Sequence, residues 1–359
     1  MKPKIIIVGS TGKLGSKLLK FLKKNNIKIF AATCFNNRNK LSKQKKTYEI
    51  NKIFSLSEED SRLDFIKLLK KKIHIIYFLD FGSYSLTYLN EFIKFNSNST
   101  IAIANKEMII AGGNILIKSI KSSNNFFIPL DSEHFSLKNN NLKNEYIDKL
   151  YITASGGPFY FSKFKNFQNV SLNQVLSHPK WKMGTNNLID SSNFINKILE
   201  IYELSSIYNI PINKIDFIVS KSAFIHSIVK YKDGIITFNA FKNEMLLTLI
   251  NPLSHFFILN HKIESEKLMM LNENLSLYYS YDKRFVFFKY YKKMKSFNHN
   301  QQINFLLLNN YAQSLYLSGK INYNDIIPFI MNSINKFPKN KKFKFLSDIV
   351  TYITNFRYT

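Results

Sequence analysis

Residues 4–25 read KIIIVGSTGKLGSKLLKFLKKN, and their reading decides the fold. Ile5–Val8 form an apolar run of strand length, glycines follow at 9, 12 and 15, and an amphipathic helical pattern continues from there. Glycines at that point let the backbone approach a pyrophosphate. The helix N-terminus adds free N–H groups and the positive end of a dipole. The stretch is not a P-loop, because Lys13 and Ser16 fall outside the required register. At the end of the second apolar run the chain reads Thr33-Cys34-Phe35-Asn36-Asn37-Arg38. No carboxylate stands there for ribose hydroxyls, and Arg38 is available for a 2′-phosphate, so NADPH is expected over NADH.

Apolar runs and helical patterns keep alternating outward from this unit: IKIFAAT, SRLDFIKLLKKK, IHIIYFLD, SLTYLNEFIKF and STIAIAN. The alternation predicts a parallel sheet wrapped by helices over residues 1–130, a Rossmann-like cofactor domain. The texture then changes. KLYITASGGPFYF and DFIVSKSAFIHSIVKYKDGIITFNAF read as strands of a mixed or antiparallel sheet, with DSSNFINKILEIYELSSIY as one helix between them. The expected class is α/β: the N-terminal parallel sheet, a central α+β catalytic domain over 131–252, a linker over 253–284, and a helical domain over 285–359. The Lys/Asn-rich runs at 36–47 and 138–145 read as solvated loops.

The 359 residues are 45% hydrophobic, enough for a globular core, yet 51 Lys+Arg against 24 Asp+Glu give a net charge of +27. That excess would suit a nucleic-acid binder. However, the lysines are spread through every segment beside Asn, Ile, Phe and Tyr, a mixture that A/T-rich codons encode. The expectation is therefore no nucleic-acid partner, and a positive field that favours phosphorylated small molecules. Cys34 is the single cysteine, no apolar run reaches membrane-span length, and Ile5–Val8 is too short for a signal peptide. A cytoplasmic location with no membrane partner is expected.

PLDSEH (129–134) places Asp131 and Glu133 two residues apart in this basic chain, either as a solvated loop or as half of a metal site. Downstream, DSSNFINKILE (190–200) puts Asn196, Lys197 and Glu200 on one helical face.

In order, GSTGKLG, IAIANKEM (101–108), PLDSEH, ASGGPF (154–159), HPKWKMG (178–184) and DSSNFINKILE resemble the 1-deoxy-D-xylulose 5-phosphate reductoisomerase family. The likeness runs from residue 4 to about 250. A fainter echo lies in LLLNNYAQSLYLSGKINYNDI (306–326). The resemblance implies conversion of 1-deoxy-D-xylulose 5-phosphate to 2-C-methyl-D-erythritol 4-phosphate, on the non-mevalonate isoprenoid route. Rearrangement assisted by Mg²⁺ or Mn²⁺, by retro-aldol cleavage and re-addition, would precede hydride transfer from NADPH. Carried over, the metal ligands are Asp131, Glu133 and Glu200. Phosphate would be held by Ser155, Ser191, Asn196 and Lys197, and the reacting end of the sugar met by Ser132 and Lys106. His178, Trp181 and Met183 fall on the family's flexible lid, near 177–187 here. Trp181, the single tryptophan, would report lid closure by fluorescence. Cofactor contacts would come from Thr11, Gly12, Lys13, Leu14, Asn37, Asn105, Glu107 and Gly184. The family is commonly a homodimer.

Some wording departs from the family. Phe35-Asn36-Asn37 replaces a Gly-Lys-Asn-like string, Thr185-Asn186 a basic pair, Ser220-Lys221 a His-Pro pair, and Asn243-Glu244-Met245 a Pro-Asp-Met string. None of these changes touches the expected metal or phosphate groups. Two other functions compete. A semialdehyde or homoserine dehydrogenase-like enzyme would not need the three carboxylates together. A nucleic-acid binder would gather its lysines on one face among stacking aromatics.

Overall fold

The computed structural model describes residues 3–140, 142–179, 184–242, 244–258 and 276–358. Among them the chain runs β1 (Ile5–Val8), α1 (Lys13–Lys24), β2 (Ala31–Cys34), α2 (Arg38–Tyr48), β3 (Lys52–Ser55), α3 (Glu59–Leu69), β4 (Ile75–Phe78), α4 (Leu86–Phe95), β5 (Thr100–Ile103), α5 (Lys106–Ser122), β6 (Phe126–Pro129) and α6 (Ser132–Phe135). The central part follows: β7 (Ile147–Ala154), α7 (Leu172–Leu176), α8 (Thr185–Ser192), α9 (Ile195–Tyr208), β8 (Ile215–Ser220), β9 (Ile225–Tyr231), β10 (Ile236–Ala240), α10 (Met245–Ile250) and β11 (Leu277–Tyr278). Four helices end it: α11 (Phe287–Lys295), α12 (His299–Leu317), α13 (Ile326–Ser333) and α14 (Leu346–Thr354).

The first six strands form one parallel sheet in the order β3-β2-β1-β4-β5-β6. β1, β2, β4 and β5 are buried along their whole length, as a sheet covered on both faces requires. Helix α1 buries Gly15, Leu18, Leu19 and Leu22, one stripe at helical spacing, and ends on Lys23 and Lys24 beside the negative end of its dipole. In this strand order the direction of winding reverses between β1 and β4, and ligands of such sheets bind there. The second sheet is mixed, in the order β10-β9-β7-β8-β11, with only β7 and β8 parallel. The architecture is α/β, as the periodicity predicts.

Three local expectations need correction. The run at 36–47 is a helix, α2, not a loop. Asn37 caps it by accepting from the Lys40 backbone N–H at 3.1 Å, and Gln44 turns inward to exchange two 2.9 Å hydrogen bonds with Ser10. A buried glutamine carries no apolar signal, so periodicity missed it. The stretch 190–208 is not one helix: Phe194 adopts a left-handed conformation (φ 68°) and separates α8 from α9. The parallel sheet also extends at its edges to β3 and β6, beyond the runs that alternation identifies.

Of the stretch read as a linker, 259–275 lie outside the described residues. Leu253 is fully buried, and Leu277–Tyr278 pair with β8. One continuous apolar core joins a face of the first sheet to β7–β9, α9 and the C-terminal helices. Helix α5 packs against both α9 and α12. That packing carries the end of β5 toward the start of α9. No helix among the described residues is long and apolar enough to cross a membrane.

Candidate active site

A cavity of about 1280 Å³ opens at the C-terminal ends of β1 and β4 and reaches across to α8 and α9. One wall is the glycine turn. Gly9 has φ +81°, and a Cβ there would lie 2.6 Å from the Asp80 backbone nitrogen, so only glycine lets the turn sit against the end of β4. Thr11, Gly12, Lys13 and Leu14 line this wall, with Lys40, Arg62, Tyr84 and Tyr88 beyond them. Lys40 Nζ donates to the Thr11 carbonyl at 2.7 Å. Arg38 is ion-paired with Glu58 and does not line the cavity. Asn37 is engaged as the α2 cap.

The opposite wall is built from charge. Asp131, Ser132 and Glu133 follow β6, Lys106 opens α5, and Asn196, Lys197 and Glu200 lie in the first turns of α9. Lys106 Nζ donates to Asn196 Oδ1 at 2.6 Å and lies 3.3 Å from both Asp131 Oδ2 and Glu200 Oε1. Lys197 Nζ contacts Glu133 Oε1 at 2.8 Å, the Thr153 carbonyl at 2.9 Å, and Glu200 Oε2. Asn196 donates to Glu200 as well. The expected i+3 and i+4 pairs therefore both form, turned inward rather than to solvent.

Burial penalises charge on Glu200 and pushes its carboxyl up to about 7, with Lys197 and Lys106 opposing. For Asp131 burial acts in the same direction, but Lys106 and His134 outweigh it and hold the carboxyl well below its usual range. Both lysines are likewise disfavoured by burial, yet the carboxylates hold Lys106 and Lys197 above their usual values.

Ligand oxygens of Asp131, Glu133 and Glu200 lie within 4.8 Å of one another. One hard cation with ligands at about 2.0–2.6 Å spans roughly that distance between opposite oxygens. The donor set fits Mg²⁺ or Mn²⁺, having no thiolate or imidazole. Three carboxylates facing two ammonium groups also leave room for positive charge.

A second layer escaped the sequence reading. His134 Nε2 lies 3.6 Å from Glu203 Oε2 and 3.1 Å from the Glu200 carbonyl, and Nδ1 is 3.9 Å from Asp131 Oδ1. Burial alone would lower the imidazole, but Glu203 and Asp131 raise it to about 9. The available signal was spacing: His134 stands three after Asp131, which precedes α6, and Glu203 stands three after Glu200 on one face of α9. Asp80 is also new. It lines the cavity beside Gly9, is pushed up to about 6 by burial, and is steadied by Ser85 and by Asn105 Nδ2 at 3.2 Å.

Ser155 lines the cavity, and its Oγ lies 3.1 Å from His178 Nε2. Burial, then the Lys197 charge, lowers His178 to about 4. The SGG turn has a steric reason: a Cβ on Gly157 (φ +57°) would lie 2.7 Å from the Ser191 carbonyl. Ser191, Gly184 and Glu107 also line the cavity. Asn105 caps α5 instead, accepting from the Met108 N–H at 3.0 Å. Trp181 and Met183 lie outside the described residues.

Residues 127–208 match the family model described as the 1-deoxy-D-xylulose 5-phosphate reductoisomerase C-terminal domain. The chain is similar to 1-deoxy-D-xylulose 5-phosphate reductoisomerase of Pelagibacter ubique, at 34% identity over 369 residues, covering 95% of this chain and 93% of the relative. The enzyme of that name from Clostridium novyi is 30% identical over 373 residues, 96% and 95% of the two chains. Among solved structures, the Zymomonas mobilis reductoisomerase in complex with NADPH superposes with TM-score 0.81, at 21% identity and coverage of 99% and 97%. A reductoisomerase in complex with NADPH, fosmidomycin and magnesium superposes at 0.78, at 21% identity and 98% coverage of each chain. Both structures share the fold.

Proposed function

The chain belongs to the 1-deoxy-D-xylulose 5-phosphate reductoisomerase family, and on that premise we infer how its cavity works. The enzyme converts 1-deoxy-D-xylulose 5-phosphate to 2-C-methyl-D-erythritol 4-phosphate, using NADPH and a divalent cation. The observation that carries the site assignment is the convergence of Asp131, Glu133 and Glu200, with two lysines among them, across one cavity from a dinucleotide turn.

When bound, the cation supplies Lewis-acid polarisation of the sugar oxygens and NADPH supplies the hydride. Asp131, Glu133 and Glu200 hold the cation; magnesium and manganese both suit them. Ser155, Ser191, Asn196 and Lys197 hold the phosphate by directional donors and one fixed charge. Lys106 and Ser132 face the reacting carbons. Thr11, Gly12, Lys13 and Leu14 receive the cofactor's phosphates and Glu107 and Gly184 complete that side, while Asn37 and Asn105 serve it as the caps of α2 and α5. The lid near 177–187, with His178, Trp181 and Met183, excludes water on closing. We assign 1–130 to cofactor binding, 131–252 to catalysis, 253–284 to a linker and 285–359 to a helical domain.

A homodimer fits the second sheet. β10 is an edge strand, and its Ile236 and Phe238 are about half exposed, at 49% and 55%. An apolar edge strand of that kind favours pairing with a second copy. A lone cysteine fits a cytoplasmic location.

The test is purified protein with the ketose phosphate, NADPH and Mg²⁺, followed by loss of nicotinamide absorbance. Turnover that stops on adding EDTA and returns with Mg²⁺ or Mn²⁺ is expected. Chelator-insensitive turnover would instead favour a semialdehyde dehydrogenase-like enzyme and sink the metal assignment.

A further inference from the structure

Helix α8 carries much of the substrate side of the cavity. Thr185, Asn186, Asn187 and Ser191 all line it, with Gly184 just before them. Yet α8 has eight residues and no side-chain cap at its N-terminus. A helix so short has little stability of its own, so its placement depends on what it is fastened to.

The fastening lies on its far side. Ile189, Asp190 and Ser192 are buried there. Asp190 accepts from Asn309 Nδ2 at 3.0 and 3.1 Å, one bond to each carboxylate oxygen, and from Gln313 Nε2 at 2.5 Å. Gln313 also donates to the Asn186 carbonyl at 3.2 Å, and Tyr323 OH donates to Ser192 Oγ at 3.0 Å. Asn309 and Gln313 are one helical turn apart on α12 and are 1% and 0% exposed. These bonds join segments more than a hundred residues apart, three of them are buried bonds to a carboxyl, and a shift of α8 would strand that acid away from solvent. Burial alone pushes Asp190 up to about 7 even with these donors in place. The same α12 seats α5 as well: His299 Nε2 lies 3.1 and 3.0 Å from the Ile110 and Ala111 carbonyls.

We propose that Asn309 and Gln313 are positioning residues of the C-terminal helices that fix α8 through Asp190 and so set Ser191 against the substrate's phosphate. The proposal rests on the functional reading above, since it takes Ser191 as a phosphate donor. Neither residue reaches the cavity.

The experiment measures three quantities in the intact protein: the affinity for inorganic phosphate by calorimetry, the KM and kcat for the ketose phosphate, and the affinity for NADPH by its fluorescence. Asn309→Asp sets two buried carboxyls against each other. It should weaken phosphate and raise KM by about tenfold, while NADPH affinity stays within about twofold. Adding Asp190→Asn restores a donor–acceptor pair with its polarity reversed and should recover most of the loss, which a general loss of structure would not allow. If Asn309→Asp does not fold, Gln313→Leu takes its place, with an expected loss of about threefold in phosphate affinity and KM.

Unchanged phosphate affinity in the variants overturns the proposal. So does a parallel loss of NADPH binding that the double variant fails to repair, or a wild type that does not bind phosphate. A wild type that binds phosphate yet never oxidises NADPH sinks the functional reading instead, and the fastening is then judged on phosphate affinity alone.

Discussion

The two walls of the cavity are made by different means. The cofactor wall is local: residues 9–14 form one turn, and its fit comes from backbone shape, such as the absence of a Cβ on Gly9. The catalytic wall is assembled from residues 106, 131–133 and 196–200, and its fit comes from opposed charges largely withdrawn from water. A wall made of backbone tolerates change in its side chains. One of this chain's departures from its family's wording falls there, at Phe35-Asn36-Asn37, and the others fall at 185–186, 220–221 and 243–245. A wall made of buried charge tolerates little, because removing one partner leaves another uncompensated. The departures seen in the sequence leave that wall alone.

Substitutions can break this contrast, beginning with the largest effect. Glu200→Gln should cut turnover by about a thousandfold or more, the worth of several kcal/mol of charge stabilisation. Near-normal steady-state rates would refute the ligand set.

Glu107→Gln is next and separates stability from chemistry. Glu107 is 4% exposed, and burial pushes its carboxyl to about 7. A carboxyl raised on folding favours the folded state most at low pH, and that advantage disappears as pH rises through the folded value. The glutamine variant should therefore be more stable than wild type at pH 8, by on the order of 2 kcal/mol. The gap should shrink as pH falls toward 5. Thermal unfolding across that range, without ligands, is the measurement, and a pH-independent difference would count against a buried acid.

Lys13→Ala should weaken NADPH about tenfold and leave kcat nearly unchanged, the loss of one charge-assisted bond. Equal losses in kcat would move Lys13 out of the binding wall. The smallest effect belongs to Arg38→Ala. Its guanidinium is engaged by Glu58 on the surface, so stability should change by less than about 1 kcal/mol. The NADPH-to-NADH preference should also stay the same. By contrast, Lys40→Ala should reduce that preference, since Lys40 lines the cavity and bonds to the Thr11 carbonyl. The reverse result would return the 2′-phosphate to Arg38.

How much was legible follows from the same contrast. The parallel sheet and its glycine turn could be read because apolar runs and glycine spacing are local signals. Helix α2 was hidden because it buries one apolar residue, Leu41, beside a polar one, Gln44, that finds its partner Ser10 on another element. The break at Phe194 was hidden because an aromatic residue in a left-handed conformation has no composition signal. His134 and Glu203 had the right spacing, but a surface pair has the same spacing. Only tertiary packing makes these charges buried ones.

By itself the sequence determined the α/β class, the dinucleotide turn and a family likeness carried by six short strings, since each depends on neighbours along the chain. Tertiary structure alone decided that Lys106 and Lys197 would stand among the carboxylates, that Asp80 would lie beneath the turn, and that α12 would reach across to Asp190. Those facts depend on which distant segments share a region largely withdrawn from water, and there the strength of a charge and the ease of its protonation are set by the neighbours that packing supplies.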